Sequence, residues 1–318
     1  MPDVTIVIPN YNGIAYLGAC LRSVEKQEGV SAEVLIVDNG STDGSQEYIR
    51  TEFPACRLIC LEKNYGFCRA VNEGFRYAGS EYVILLNNDT EIEPDFALRL
   101  LASIQKDRKR FSCQACMIQY HDHSKMDDAG DFYCVLGWGM ARGKGRPVEN
   151  YRSGQKIFSS CAGAAIYRKS LTERLGGFDE AHFAYLEDMD LSYRAKLAGY
   201  YHWYEPEAKV YHVGSGTSGS RYNHFKVVHS AGNNLYLIYK NMPLIQIIVN
   251  SPLLLAGFLI KYLFFVKKGL GRDYREGLAR GIRLCRANPG RRAAFGARHI
   301  PICFGIQLEL WRNMFRLV

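Results

Sequence analysis

Along the first ninety residues the apolar positions switch between two periods. Val4–Ile8 is an unbroken, largely β-branched run that stops at Pro9, whereas Leu17, Cys20, Leu21 and Val24 recur at helical spacing within Tyr16–Gln27. The alternation then repeats. A strand at Glu33–Val37 ends on Asp38. A helix over 43–52 follows, with Ser41 or Thr42 as its cap, and then a strand at Leu58–Leu61. Gly66–Tyr77 reads as a helix with Phe67, Ala70, Val71, Gly74 and Phe75 on one face, before a strand at Tyr82–Leu86. Such strand–helix alternation predicts a doubly wound α/β sheet, mostly parallel.

In sheets of this kind ligands bind beyond the carboxyl ends of the strands. The polar clusters fall there: PNYNG after the first strand, DNGSTDGS after the second, NNDTE after the fourth. Three segments far apart in the chain are thereby expected to line one cleft.

Beyond residue 91 the pattern predicts a helix over Pro94–Lys106 and a strand over Ser112–Gln119. Residues 120–156 are rich in Gly, Asp and Arg and read as long surface loops. A strand at Ser159–Tyr167 and a short helix at Ser170–Leu175, stopped by Gly176-Gly177, come next. A helix over Asp188–Ala198 ends at Gly199. Val210–Val213 is the last short strand, and GSGTSGS is a loop. From Leu244 the character changes. LIQIIVNSPLLLAGFLI is almost wholly apolar until Lys261, and 274–286 reads as a basic amphipathic helix with Leu278, Ile282 and Cys285 opposite several Arg. Pro289-Gly290 breaks it, and 300–318 is again apolar-rich. No internal repeat is present.

Charge sharpens this division. Residues 261–318 hold 13 of the 40 Lys and Arg but only 3 of the 32 Asp and Glu, while the rest of the chain is close to neutral. A basic segment interleaved with long aliphatic runs suits an anionic lipid surface better than nucleic acid. The 20 residues Asn241–Ile260 carry no charge, close to a spanning length, but Gln246, Asn250, Ser251 and Pro252 interrupt the middle. Spanning would also put the basic tail on the far side, against the positive-inside tendency. The preferred reading is a helix lying on the inner leaflet, with ordinary packing and spanning as alternatives. MPDVTIVIPN does not read as a secretory signal, so a cytoplasmic catalytic body is expected. The ten cysteines fit reduced, buried thiols. Cys113 and Cys116, near His121 and His123, form no zinc pattern with a fourth ligand. No G-x-G-x-x-G follows a strand, which excludes a dehydrogenase reading. PNYNG lacks the Gly-rich loop with a basic residue that a nucleotidyltransferase needs.

Several polar residues carry candidate chemistry. Asn88 and Asp89 offer hard oxygens at a strand end, suited to Mg²⁺ or Mn²⁺ completed by substrate phosphates; a capped turn is the plainer alternative. Asp38 suits a nucleobase or ribose, or simply an Asx turn. Tyr11 suits base stacking or packing. Glu187, Asp188 and Asp190 open a helix and favour its dipole, but neighbouring carboxylates also raise one another's pKa, which suits a general base. His212 is a candidate metal ligand or a structural histidine.

Taken in order, PNYNG, VDNGSTDGS, NYGFCRAVNEGF, LLNNDTE, GGFDE, YLEDMDLSYRAKLAGY and the later His212 resemble the family-2 glycosyltransferases of GT-A fold, in the manner of the bacterial rhamnosyltransferase-like branch. The resemblance spans residues 4–240 and is thin over 112–156. It implies a catalytic domain over 1–240, with a nucleotide-sugar half (1–110) and an acceptor half (111–240). A basic, membrane-associating helical extension covers 241–318. It further implies inverting transfer from a nucleotide diphosphate sugar to a saccharide hydroxyl, the acceptor being lipid-linked and the enzyme peripheral on the cytoplasmic face. Pro9, Tyr11, Asn12, Asp38, Asn64, Gly66, Asn72, Asn87 and Asn88 would bind the donor. Asp89 and His212 would hold a divalent cation, Mg²⁺ or Mn²⁺. Asp188 would be the base, Glu187 and Asp190 its supports, and Arg194 a stabiliser of the leaving diphosphate. The first acid of the family's DxD is Asn87 here, which shifts the expected donor from a UDP- towards a dTDP-sugar such as dTDP-rhamnose. It also leaves open a catalytically degenerate, nucleotide-sugar-binding or scaffold protein.

Overall fold

The alternating N-terminal pattern folds as its periods dictate: β1 (Val4–Asn10), α1 (Ile14–Glu25), β2 (Ala32–Asp38), α2 (Ser45–Glu52), β3 (Arg57–Cys60), α3 (Phe67–Tyr77) and β4 (Tyr82–Leu86). The computed structural model describes residues 1–214 and 222–317, so all but the first residue of GSGTSGS lies outside the described residues. The strands pair in parallel in the order β3-β2-β1-β4. Side chains alternate between faces, so Ile6 and Ile8 pack with Leu17 and Leu21 of α1, while Val7 and Leu35 pack with Val71 and Phe75 of α3.

The remaining elements are β5 (Thr90–Ile92), α4 (Phe96–Gln105), β6 (Arg110–Gln119), β7 (Asp122–Asp128), β8 (Asp131–Cys134), β9 (Trp138–Ala141), β10 (Gln155–Ile157), β11 (Ala164–Arg168), α5 (Lys169–Arg174), α6 (Glu187–Leu197) and β12 (Tyr201–His212). Helices α7 (His224–Asn241), α8 (Leu244–Lys267), α9 (Gly271–Ala287) and α10 (Ile300–Met314) follow. Strand β11 runs antiparallel between β4 and β6, and β12 is parallel to β6, so beyond β4 the sheet is mixed.

Several expectations need correction. Residues 120–156 are not surface loops: β7, β8 and β9 lie there, with Met126, Ala129, Tyr133 and Val135 buried. The glycines that suggested loops are turn positions, Gly130 at φ 106° and Gly137 at φ 70°. The strand expected at 210–213 is the end of the longer β12, whose pattern is broken by a register shift between Glu205 and Lys209. Neither Ser41 nor Thr42 caps α2: the N-cap is Gly44, and Asp43 Oδ1 accepts from Ser45 N at 3.0 Å. Helix α7 was not foreseen, because Asn233, Asn234, Lys240 and Asn241 lie buried on its inner side and hide its apolar stripe.

Residues 241–318 do not stand apart from the catalytic body. Leu254 of α8 and Ile306 and Leu310 of α10 share one core with Tyr133, Phe158, Met189 and Tyr193. Gln246 and Asn250 of α8 turn inward, Asn250 Nδ2 donating to Gln307 Oε1 at 2.8 Å, while most of its aliphatic residues other than Leu254 face out. The buried face of α9 is Tyr274, Gly277 and Gly281, with Leu278 partly buried against Tyr274, while Ile282 is exposed. Here α9 and α7 touch backbone to backbone, a Cβ on Gly281 falling 2.7 Å from Gly232 O. Gly281→Leu is therefore expected to destabilise the fold by about 2 kcal/mol or more, read as a lower midpoint in thermal melting.

Candidate active site

The register of the parallel strands brings the polar ends together. Asn10 ends β1 directly opposite Asp38 of β2. Its amide nitrogen donates to Asp38 Oδ2 at 2.8 Å, and its carbonyl oxygen accepts from Asn88 Nδ2 at 2.6 Å. The second Asp38 oxygen accepts from Ser41 N at 2.9 Å and Gln46 Nε2 at 2.7 Å. Asp38 is fully buried by these partners and lies behind the cavity wall rather than on it. Asn39 Nδ2 donates to Asn64 Oδ1 and to Gly66 O, both at 3.0 Å, and so ties the β2 end to the loop before α3.

These ends open on a cavity of about 1110 Å³. Of the residues singled out in the sequence, Pro9, Tyr11, Asn64, Asn87, Asn88, Asp89, Glu187, Asp188 and His212 line it. Asn12, Asp38, Gly66, Asn72, Asp190 and Arg194 do not. Asn12 Oδ1 accepts from Thr42 N at 2.8 Å and joins two loops. Asn72 is bound to the Phe178 backbone through both ends of its amide, at 2.8 and 2.9 Å. Asp190 and Arg194 form a buried ion pair at 2.8 Å. Arg194 also donates to Gly177 O, and Lys240 lies 2.9 Å from Asp190. Asp190 lies about 200° round α6 from Asp188 and so faces the interior. Neither lines the cavity, so Asp190 does not stand beside Asp188 as its support and Arg194 does not face a leaving diphosphate, the roles the resemblance implied for them.

At the end of β12 the His212 imidazole bridges two carboxylates, Nε2 lying 3.2 Å from Asp89 Oδ1 and Nδ1 2.8 Å from Asp127 Oδ2. Burial disfavours its charge, but the hydrogen bonds and charges of Asp127 and Asp89 outweigh burial and push the imidazole up to about 9. Burial would likewise raise Asp127, yet His212 and Lys144, the latter at 2.7 Å, bring it down to about 2. The donor set fits a hard or borderline cation. A cation on Asp89 and His212 Nε2 would leave Nδ1–H on Asp127, the carboxylate–histidine arrangement that fixes a ligand imidazole. Asp127 escaped the sequence reading because it lay in a supposed loop with no spacing signal.

Across the cavity, Asp188 accepts from Met189 N at 2.7 Å and from Ala162 N at 3.3 Å. Burial lifts its carboxyl above the usual range and lifts that of Glu187 further, helped by the charge of Asp188. Glu187 Oε2 is buried and has no hydrogen-bond partner. Of the two, Glu187 is pushed further towards its protonated form, which leaves Asp188 the more readily ionised. Asp131, which the sequence did not mark, lines the same side; burial and the nearby Asp128 and Asp188 raise it well above the usual range.

The loop carrying this pair is strained, with Phe183, Tyr185 and Leu186 at φ 67°, 74° and 63°. One side chain holds it: Asn233 Nδ2 donates to the carbonyls of His182, Ala184 and Tyr185 at 3.0, 2.8 and 2.7 Å. Arg280 of α9 fixes Asn233 in turn, donating to its Oδ1 at 2.6 Å and to Ala181 O at 3.2 Å.

Comparison with known proteins follows this geometry. Residues 5–176 match the model of the family described as Glycosyl transferase family 2. The chain is 28% identical over 246 residues to an N-acetylglucosaminyl-diphospho-decaprenol L-rhamnosyltransferase of Mycobacterium tuberculosis, covering 69% of this chain and 79% of that protein. It is 28% identical over 215 residues to the O-antigen chain rhamnosyltransferase WbaN of Salmonella anatum, covering 67% and 66%. Its fold is that of the GT-A glycosyltransferases. One such structure, the mannosyltransferase PcManGT from Pyrobaculum calidifontis in complex with GDP-Man and Mn²⁺, superposes with a TM-score of 0.55 at 17% identity, covering 99% of this chain and 83% of that one.

Proposed function

The chain belongs to glycosyl transferase family 2, and from that premise we propose that it is an inverting, divalent-cation-dependent transferase. It moves a sugar, rhamnose or a related hexose, from a dTDP- or UDP-sugar to a hydroxyl of a lipid-linked saccharide in cell-surface polysaccharide synthesis. One observation carries the proposal: Asp89 with His212, and Asp188 with Glu187, come from distant parts of the chain and line a single cavity. The relatives' names point to rhamnose and to a diphosphate-linked acceptor.

In this reading Pro9, Tyr11, Asn64, Asn87 and Asn88 face the donor. The acceptor oxygen attacks the anomeric carbon as the bond from that carbon to the diphosphate oxygen breaks, and the hydroxyl proton passes to an Asp188 carboxylate oxygen. Glu187, protonated, adds no charge that would compete. Asp89 and His212 would hold the cation, which would supply neutralising charge for the departing diphosphate. Asp127 keeps the His212 ring oriented.

The exposed aliphatic face of α8, with Leu255 69% and Ile245 68% exposed, and the exposed Arg272, Arg275, Arg283 and Arg286 of α9 support a peripheral seat on the anionic inner leaflet. The deciding assay is a panel of nucleotide sugars with prenyl-diphosphate-linked GlcNAc as acceptor, with Mn²⁺, Mg²⁺ or EDTA. Product is expected from a deoxysugar donor and only with cation. If no nucleotide sugar binds by calorimetry or turns over in any metal, the transferase reading fails and the scaffold reading takes its place.

A further inference from the structure

The long α8 helix carries no charge until Lys261, and that side chain turns into the catalytic cavity, unlike the exposed Lys267 and Lys268. Its place is fixed by two close contacts. Gly257, one turn earlier, lies so near the β8–β9 turn that a Cβ there would fall 2.1 Å from Leu136 O. Trp138 Nε1 donates to Gly257 O at 3.1 Å, and Lys261 Nζ sits 5.7 Å from the Trp138 ring centre. The next residue, Gly139, packs on Leu186 and Met189, which flank the Glu187–Asp188 pair. Lys261 therefore belongs to the acceptor side, with β9 and the strained loop, and not to the strand ends that face the donor.

Among the described residues, no carboxylate forms an ion pair with Lys261. Burial pushes its ammonium down to about 8, and the nearby Cys134 is the sole group raising it. A lysine so placed lacks a counter-charge. Phe264 and Phe265 continue the cavity wall beside it, and Leu255, Leu259, Ile260 and Leu263 continue outward on the same helix as exposed aliphatic surface.

We propose that Lys261 binds the phosphate of the acceptor's lipid linkage, a lipid phosphate or diphosphate ester, at the rim of the catalytic cavity. The lipid chain then runs outward along α8. An ammonium is a compact point charge suited to phosphate oxygens, and the half-buried Trp138 and Phe265 limit the water around it. The proposal rests on the lipid-linked acceptor of the preceding section.

The test uses the full chain in detergent micelles, with Lys261→Met and Lys261→Arg. Farnesyl diphosphate and farnesol are the binding probes. Kinetics compare prenyl-diphosphate-linked GlcNAc with octyl β-GlcNAc. Lys261→Met is expected to weaken farnesyl diphosphate and raise KM for the diphosphate acceptor about tenfold, the scale of one charge-assisted hydrogen bond. Lys261→Arg recovers most of this, while farnesol, octyl glycoside and donor KM stay unchanged. Equal losses on both acceptors would reduce Lys261 to packing. A raised donor KM would assign it to the donor's diphosphate. Weaker binding to phosphatidylglycerol vesicles with farnesyl diphosphate unaffected would assign it to headgroups. Each of these overturns the proposal. If the wild type glycosylates no lipid-diphosphate acceptor, the acceptor reading fails on its own, and the farnesyl diphosphate comparison still decides Lys261.

Discussion

Replacing Asp188 with asparagine is expected to slow sugar transfer about 10³-fold while donor affinity stays within a factor of about two, the range for removing a positioned base. Asparagine keeps the shape, and its side-chain oxygen can still accept from Met189 N or Ala162 N, so the loop need not move. What is lost is the proton acceptor. The wild-type pH profile gives an independent check. The base works when deprotonated, and burial raises the Asp188 carboxyl. Transfer should therefore fall as pH drops through a value above the usual carboxylate range, near 4. Glu187→Gln should leave that limb in place, because Glu187 is pushed further towards its protonated form. Single-turnover rates and donor calorimetry on the variants measure both effects. A variant at Asp188 retaining a third of the wild-type rate would move the base elsewhere, with Asp131 first in line.

The second large effect concerns Asp89 and His212. Asp89→Ala and His212→Ala are each expected to abolish cation-stimulated transfer, a loss of about 10² or more, since each removes one of the two ligands proposed for the cation. Asp127→Asn should be milder, weakening Mn²⁺ about 10- to 100-fold while saturating Mn²⁺ restores much of the rate, the pattern of a group that orients a ligand. Mn²⁺ titration followed by electron paramagnetic resonance, alongside activity, separates the three. A wild-type enzyme indifferent to EDTA would remove the cation from the reaction.

Much of the first ninety residues was legible because their strands are short, apolar and separated by helices with clean periodicity. Parallel register then made Asn10 meet Asp38 and gathered the strand ends. What the pattern hid is equally physical. Asp127 and Asp131 lie in a stretch whose glycines read as loop although they turn short strands. Asp190 and Arg194 share a motif with Asp188, yet helix geometry turns them to the opposite face, where they neutralise each other. A motif gives residue order, and only the helix phase gives direction. Helix α7 was invisible for the converse reason: its inner side mixes Val227, Ala231, Leu237 and Ile238 with Asn233, Lys240 and Asn241, whose side-chain nitrogens donate to Asp179, Asp190 and the backbone of the strained loop.

The hold of Asn233 and Arg280 on that loop bears on how such an enzyme can be divided or inherited. Arg280 is one of the tail's basic residues, but it lies inward on α9 and steadies the peptide leading to Asp188. The segment that suggests an attachable anchor thus also braces the loop that carries Glu187 and Asp188. Exchanging it for another anchor, as domains are shuffled between genes, would carry away a catalytic support with it. Selection acting on where this enzyme sits and selection acting on how fast it turns over must fall on the same helix.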